Sequence, residues 1–318
     1  MMDWTDRHCR YFHRQITRGT RLYTEMVTTG ALLHGDRARH LAFHVDEHPV
    51  ALQLGGSEPD ALAQCAKFAE SWGYDEINLN CGCPSERVLR GAFGACLMRE
   101  AELVRDSVAA MRAASSLPVT VKHRIGVDRT ESYEFVRDFV GTVAEGGCGV
   151  FIVHARNAWL EGLSPKDNRT IPPLRHEFVH RLKREFPHLV IAINGGLKGD
   201  DEIARQLESV DGVMIGREAY HDPWSMADWD RRFLELEPAA TSREDVEARM
   251  VDYFEVLHRE GTPWPQASRH MLGLWNGEQG ARRWRQVWSD HRLKTLAPRE
   301  VAALATQARG QAQRAMAA

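Results

Sequence analysis

Short apolar segments alternate with segments of helical spacing along the first two thirds of the chain. The apolar segments predict strands near residues 22–27, 49–55, 76–80, 118–123, 149–155, 189–194 and 212–216. The segments between them predict helices near residues 58–72, 100–115, 133–145, 178–186 and 200–207. A further helix is expected from Asp6, as its N-cap, to about Arg18. Short apolar strands that alternate with amphipathic helices are typical of βαβ units and therefore of a parallel sheet.

The number of strands favours a closed barrel over an open sheet. Seven strands between residues 22 and 216 suit a (β/α)₈ TIM barrel. The alternative is an open doubly wound sheet, but the Gly-x-Gly-x-x-Gly turn that often marks such a sheet does not follow the first strand. We therefore predict an α/β fold of the TIM-barrel class.

The pattern changes after about residue 237, where no further strand is predicted. Four helical segments follow, near residues 242–259, 265–275, 281–290 and 298–315. We therefore predict a barrel domain over residues 1–237 and a small helical domain over residues 238–318. The helical domain carries the run Arg282-Arg-Trp-Arg285. A run of charge is commonly a solvated helix face, but tryptophan among arginines also suits a contact with RNA.

Composition and charge exclude several classes of protein. The chain has 318 residues and a net charge of -3, so a nucleic-acid partner would need a local basic patch. Its six cysteines are irregularly spaced, and Cys81-Gly-Cys83 lacks a second pair, so we expect neither a disulfide framework nor a metal site. No apolar run approaches the length of a membrane span, and no signal peptide is recognised. We expect a cytosolic monomer.

A loop of glycine, proline and small residues follows the strand at 76–80 and leads to Cys96. Loops held by a rigid strand are common places for catalytic residues. Most free cysteines, however, are small apolar residues that fill space in a core. These residues alone leave both roles open for Cys96.

Polar residues stand near the carboxyl ends of the predicted strands, where a TIM barrel gathers its active site. They are Gln53, Asn78, Asn80, Lys122, Arg124, His154, Arg156, Asn194-Gly-Gly196 and Gly216-Arg217. A lysine in a covered strand needs an anionic or hydrogen-bonding partner, whereas a lone histidine is commonly a core residue. Glycine loops after the last two strands expose N–H groups, and barrels often bind phosphate there. A phosphate-bearing cofactor is therefore expected.

These stretches resemble tRNA-dihydrouridine synthases of the bacterial A type. The matching stretches include MMDWTDRHCRYF (1–12), GYDEINLNCGCPS (73–85), FGACLM (93–98), HARNAWLEGLSPKDNRTIPPL (154–174) and SRHMLGLWNGEQGARRWR (268–285). Together with similar stretches between them, they cover nearly the whole chain, including the helical region.

The resemblance implies a flavin-dependent reductase that forms 5,6-dihydrouridine at positions 20 and 20a of the tRNA D-loop. It implies FMN as the cofactor, with NADPH or NADH as the reductant. The residues implied at the flavin ring are Met1, Met2, Gln53, Lys122 and His154, and those at the phosphate are Asn194, Gly195, Gly196, Gly216 and Arg217. Cys96 is the implied acid. The expected tRNA contacts are Lys166, Arg169 and Arg269.

The chemistry of uracil suits these residues. Its C5=C6 bond is conjugated to the C4 carbonyl, so C6 accepts a hydride and C5 then needs a proton. A thiol, with an ordinary pKa of about 8.5, is mostly protonated at neutral pH and can donate that proton. Flipping a base out of a folded loop costs a few kcal/mol, so a second domain that holds RNA is physically sensible.

The sequence departs from the family pattern at two places, and two alternative functions are also considered. Cys81 replaces the usual valine, which is a small apolar change. Such proteins also have a first strand before the Met-Met-Asp turn, whereas this sequence begins inside that turn. We expect the natural product to begin roughly 10–25 residues upstream. The alternatives are a dihydroorotate-type FMN barrel dehydrogenase of a small molecule and a catalytically impaired tRNA-binding protein.

Overall fold

The computed structural model describes residues 1–85, 93–239 and 242–317. Their contacts define two compact units. The first unit contains Met1–Met2, Arg21–Phe43 and the described part of His48–Gly216. The second unit contains Asp3–Thr20, His44–Glu47 and the described part of Arg217–Ala318. The functional division expected at residue 237 stays a prediction.

The first unit is built on a parallel sheet of seven strands. The strands of this sheet are β1 (Leu22–Thr28), β2 (Val50–Gly55), β3 (Glu76–Cys81), β4 (Val119–Arg124), β7 (Val150–His154), β8 (Val190–Asn194) and β9 (Gly212–Met214). A separate antiparallel hairpin pairs β5 (Gly126–Val127) with β6 (Thr130–Glu131). Each strand of the sheet pairs with the next one along the chain, so the order has no reversal of the kind found in doubly wound sheets. The prediction of a TIM-barrel-like fold is confirmed.

Helices alternate with these strands. Those of the first unit are Thr29–His34, Arg37–Leu41, Pro59–Trp72, Ala101–Ala114, Tyr133–Glu145, His176–Glu185 and Asp200–Leu207, with short 3₁₀ turns at Gly94–Arg99 and Asp167–Arg169. The long helices agree with the predicted ones. The two helices between β1 and β2 are missed by the sequence because each is too short to show a periodic apolar stripe.

Alternation along each strand separates an apolar face from a polar face. Leu52, Leu79, Val121, Val153 and Ile193 are fully buried and belong to the core that the sheet forms with the helices. Burying an aliphatic side chain of this size contributes about 1.5–3 kcal/mol. The residues between them point to the opposite face, because successive side chains of a strand alternate. That opposite face carries the polar groups of the candidate site.

The second unit consists of helices. They are Arg7–Arg14, Arg217–His221, Trp229–Phe233, Arg243–Arg259, Pro265–Ser268, Ala281–Trp288 and Pro298–Ala317, with 3₁₀ turns at Val45–Glu47, Pro223–Met226, Arg269–Met271 and His291–Leu293. The prediction that Asp6 caps the first helix is confirmed, because its carboxylate accepts from the N–H groups of His8 and Cys9. That helix ends before Arg18, since the Arg14 side chain binds the carbonyl groups of the following turn.

A buried carboxylate organises the core of the second unit. Glu247 accepts hydrogen bonds from the indole N–H groups of Trp275 at 3.1 Å, Trp284 at 2.7 Å and Trp288 at 3.2 Å. Trp284 is the tryptophan of the arginine-rich run, and its side chain is fully buried. The hypothesis that the Trp284 ring contacts RNA is therefore wrong. The flanking Arg282 and Arg283 are exposed.

Among the residues described above, no helix has the length and apolar character needed to span a membrane. Within the same ranges, no three or more His, Cys, Asp or Glu side chains are grouped so as to hold a metal ion. The six cysteines are free thiols.

We predict that Glu247→Ala lowers the free energy of unfolding by about 3 kcal/mol or more, because each buried donor left without its acceptor costs about 1–3 kcal/mol. Urea unfolding followed by tryptophan fluorescence measures the change. Glu244→Ala is the control, because it removes an ion pair with Arg309 whose carboxylate is open to solvent and should cost about 1 kcal/mol or less. Equal losses in the two variants would contradict the structural role of Glu247.

Candidate active site

A continuous set of hydrogen bonds fixes the polar side chains of β2, β3 and β4. The Gln53 amide donates to Asn78 Oδ1 at 2.9 Å and accepts from Asn80 Nδ2 at 2.7 Å. Asn78 in turn donates to the Thr120 hydroxyl at 2.8 Å. All four residues are buried. Because both ends of the Gln53 amide are engaged, its orientation is fixed before any ligand binds.

Lys122 lies beside Asn80 in the register of β3 and β4. Its ammonium group donates to Asn194 Oδ1 at 3.1 Å, and Asn194 donates to the carbonyl of Met214 at 2.7 Å. Burial, with a smaller effect of the neighbouring Arg124 charge, lowers the pKa of Lys122 to about 7. A half-buried amine of this kind favours a ligand that brings an acceptor or a negative charge.

The glycines after β8 lie directly against His154. A Cβ atom on Gly195 would stand 2.5 Å from His154 Cδ2, and one on Gly196 would stand 2.5 Å from Leu174 Cδ1. Both glycines have positive φ angles, of 114° and 76°, which side chains disfavour. The His176 ring also bonds the carbonyl oxygen of Gly195 at 2.9 Å. The structure thus brings His154, Asn194, Gly195 and Gly196 together at the carboxyl ends of β7 and β8.

The predicted N-terminal turn lies at the end of β9. A Cβ atom on Gly216 would lie 3.6 Å from the sulfur of Met1, which is an ordinary van der Waals distance. Met2 is half exposed. Arg217 begins the helix Arg217–His221, which belongs to the second unit, and its role at a phosphate stays a prediction.

Cys96 stands in the middle of the turn Gly94–Arg99. Its thiol is half-buried and donates to the Phe93 carbonyl at 3.1 Å. Burial raises the pKa of this thiol, so it stays protonated at neutral pH. The turn packs against β3 and β4, and the N–H of Ala95 donates to the carbonyl of Cys83. Residues 86–92 of the predicted glycine- and proline-rich loop lie outside the described residues.

Arg124 does not present its guanidinium to a ligand, although the sequence places it among the strand-end polar groups. It is 3% exposed and donates to the carbonyl oxygens of Gly82, Asn157 and Asn168, at 2.8, 3.0 and 2.8 Å. These carbonyls belong to the loops that follow β3 and β7. Arg124 therefore ties two loops together. Arg156 similarly donates to the carbonyl of Pro172.

Asn168 fixes the shape of the segment Trp159–Arg169. Its fully buried amide accepts from the N–H of Trp159 at 2.7 Å and donates to the carbonyl of the same residue at 2.8 Å. Lys166 is exposed on this segment, whereas Arg169 is half-buried. Their contact with tRNA stays a prediction. The sequence gives only a weak signal for Asn168, because asparagine is common in loops of every kind.

Arg269, in the second unit, pairs with the Asp6 carboxylate at 2.8 Å. His270 bonds the same carboxylate and is buried. Burial alone would raise the pKa of Asp6, but hydrogen bonds from His270, the Cys9 N–H and Arg269, together with the electrostatic effect of His270, hold it well below its usual range. The Arg269 side chain keeps nearly half its surface exposed, and its predicted contact with tRNA stays a prediction.

Residues 1–309 match the family model described as Dihydrouridine synthase (Dus). A Vibrio cholerae protein named tRNA-dihydrouridine(20/20a) synthase is 55% identical over 302 residues, which cover 95% of this chain and 92% of that protein. An Escherichia coli protein of the same name is 56% identical over 295 residues, with 92% of this chain and 85% of that protein covered. A Synechocystis protein of this name is 53% identical over 308 residues, which cover 97% of this chain and 92% of that protein.

The lowered pKa of Lys122 predicts a particular dependence of stability on pH. Between about pH 7 and pH 10 the unfolded chain binds this proton more strongly than the folded chain, so the free energy of unfolding should rise with pH across that window. We predict that Lys122→Met removes this rise in protein without a bound ligand. Urea unfolding at both ends of the window measures it.

The exposed residue Lys67 provides the control, because Lys67→Met should leave the pH dependence unchanged. If Lys122→Met keeps the same rise as the unsubstituted protein, Lys122 is not the group whose protonation opposes folding.

Proposed function

Because the chain belongs to the dihydrouridine synthase family, we propose that it is an FMN-dependent reductase that forms 5,6-dihydrouridine in tRNA. Its relatives are named for positions 20 and 20a, and we propose the uridines at these positions of the D-loop as the substrates. One structural observation carries the proposal. The turn that bears the half-buried Cys96 packs against β3 and β4, the strands that carry Asn80 and Lys122.

The residues present fit FMN. The half-buried Lys122 amine, the oriented Gln53 amide and His154 offer polar contacts to the edge of a flavin ring. Gly195 and Gly196 have positive φ angles and no side chains, so a phosphate can approach the backbone N–H groups of this loop closely. We assign Gly216 and Arg217 to the same phosphate, and Met1 and Met2 to the ring. When bound and reduced by NADPH, FMN supplies the hydride that uracil C6 accepts.

Lys122 is suited to hold negative charge near the reacting ring. With a pKa of about 7, its amine remains a hydrogen-bond donor in both protonation states. Its bond to Asn194 Oδ1, two strands away on β8, fixes the direction of the side chain. The partner at this bond is a neutral amide, which positions the amine without neutralising its charge.

Cys96 is the proposed acid at uracil C5. Its thiol carries its proton at neutral pH and now gives its hydrogen bond to the Phe93 carbonyl. To protonate C5 the thiol has to leave that carbonyl and turn toward the base. A general acid placed in this way typically contributes about 10²–10⁴-fold to the rate.

We propose that tRNA is held by the segment Trp159–Arg169, through Lys166 and Arg169, and by the helical domain 238–318, through Arg269. Support comes from the helix Ala281–Trp288, where Trp284 is buried while the neighbouring arginines are exposed and leave a basic face. A local basic face can neutralise phosphates even though the whole chain has a net charge of -3. The barrel domain 1–237 would then carry the chemistry.

We predict that Cys96→Ala separates the two half-reactions. NADPH should still reduce the bound flavin, because that step needs no proton at C5, whereas uridine reduction should fall by about 10²–10⁴-fold. Stopped-flow absorbance of the flavin measures reduction by NADPH and then oxidation by tRNA, both without oxygen.

Cys83 is a matched control, since it is also half-buried and follows the same strand. In Cys83→Ala, tRNA should oxidise the reduced flavin at a rate close to that in the unsubstituted protein. The same result is expected for Cys81→Ala, which changes a buried thiol. Rapid flavin oxidation by tRNA in Cys96→Ala would remove Cys96 from the role of acid.

A further inference from the structure

Asp128 uses all of its polar groups in hydrogen bonds. It lies in the turn of the β5–β6 hairpin and has a positive φ angle of 52°. Its N–H donates to the Ala158 carbonyl at 2.6 Å, and its own carbonyl accepts from Asn157 Nδ2 at 2.6 Å. One carboxylate oxygen accepts from the N–H of Leu160 at 2.8 Å, and the other accepts from the Arg99 guanidinium at 2.6 Å.

These partners belong to the two segments on which the proposed reaction depends. Leu160 lies in Trp159–Arg169, the segment proposed to hold RNA. Arg99 is the last residue of the turn Gly94–Arg99, which bears the thiol of Cys96. Asp128 therefore bridges the turn that carries the proposed acid and the segment proposed to hold RNA.

The bridge is well placed to set the position of the thiol. Cys96 and Arg99 are three residues apart in a 3₁₀ turn, so their side chains lie on the same side of it. Fixing the guanidinium of Arg99 therefore restricts rotation of the whole turn. The Arg99 side chain is 47% exposed, and an ion pair so open to solvent adds little to stability. Stability alone is a weak reason for this arrangement.

We propose, on the basis of the function proposed above, that Asp128 is a positioning residue for uridine reduction. It holds the Cys96 turn at a fixed distance from the segment Trp159–Arg169, so that the thiol meets C5 of a base held by that segment. Small displacements matter here, because a misplacement of about 1 Å can cost about 10²-fold in rate.

Asp128→Asn is the sharpest substitution. Its amide oxygen can still accept from the N–H of Leu160, and asparagine tolerates a positive φ angle as well as aspartate does. The amide has no charge to pair with Arg99. We expect kcat for uridine reduction to fall by about two- to fivefold, the range that the loss of a half-exposed ion pair allows, with KM for tRNA and flavin reduction by NADPH unchanged.

Glu131→Gln is the matched control. It removes a partly exposed carboxylate from the same hairpin, where Glu131 pairs with Arg175 at 3.1 Å. This variant should keep the kcat of the unsubstituted protein. Arg99→Gln breaks the proposed bridge from its other end, so it should reproduce the loss even if Asp128→Asn folds poorly. The double variant should lose no more than either single one.

Combination with Cys96→Ala distinguishes a positioning role from a general structural one. If Asp128 acts through the thiol, Asp128→Asn should cause little further loss of the residual rate in Cys96→Ala. An equal loss in both backgrounds, or a kcat like that of Glu131→Gln, overturns the role of Asp128 while the proposed function stands. Unsubstituted protein that forms no dihydrouridine overturns the proposed function and the Asp128 role with it.

Discussion

Polar side chains buried on one face of a parallel sheet have to satisfy one another, and the rest of this structure depends on that constraint. Leaving such a group without a partner costs free energy comparable to the gain from burying an apolar side chain. The Gln53, Asn78 and Thr120 side chains meet the requirement across three strands. Lys122 meets it through Asn194 on β8, two strands away in the sheet. A site assembled in this way is held in place before a ligand arrives, which is what precise placement of the proposed flavin and base requires.

Local signals in the sequence were sufficient to predict most helices and strands and to place the polar residues near the strand ends. The helix Tyr133–Glu145 agrees with its predicted bounds because its apolar spacing is regular and Ser132 caps it. The family resemblance is confirmed by the family match over residues 1–309. Strand alternation also assigns Lys122 to the polar face. These features depend on residues close to one another in the chain, where spacing is informative.

Features that depend on distant residues could not be predicted. Arg124 looked like a ligand contact because it ends a strand, but its partners are carbonyl groups of two loops. Trp284 looked like part of an RNA-contacting surface because arginines flank it, but helical geometry turns its ring toward Glu247. The bridge through Asp128 joins segments about thirty residues away on each side. Such hydrogen bonds leave no periodic pattern in the sequence.

We propose above that this chain adds hydrogen across the C5=C6 bond of uridines 20 and 20a in tRNA. Nuclease digestion and mass spectrometry of an unmodified tRNA transcript, after incubation with the flavin-loaded protein and NADPH, test it most directly. We expect the D-loop fragment to gain the mass of two hydrogen atoms for each of these uridines and no other fragment to change. An unchanged D-loop fragment, from protein whose flavin NADPH still reduces, would contradict the account and favour a flavin dehydrogenase of a small molecule.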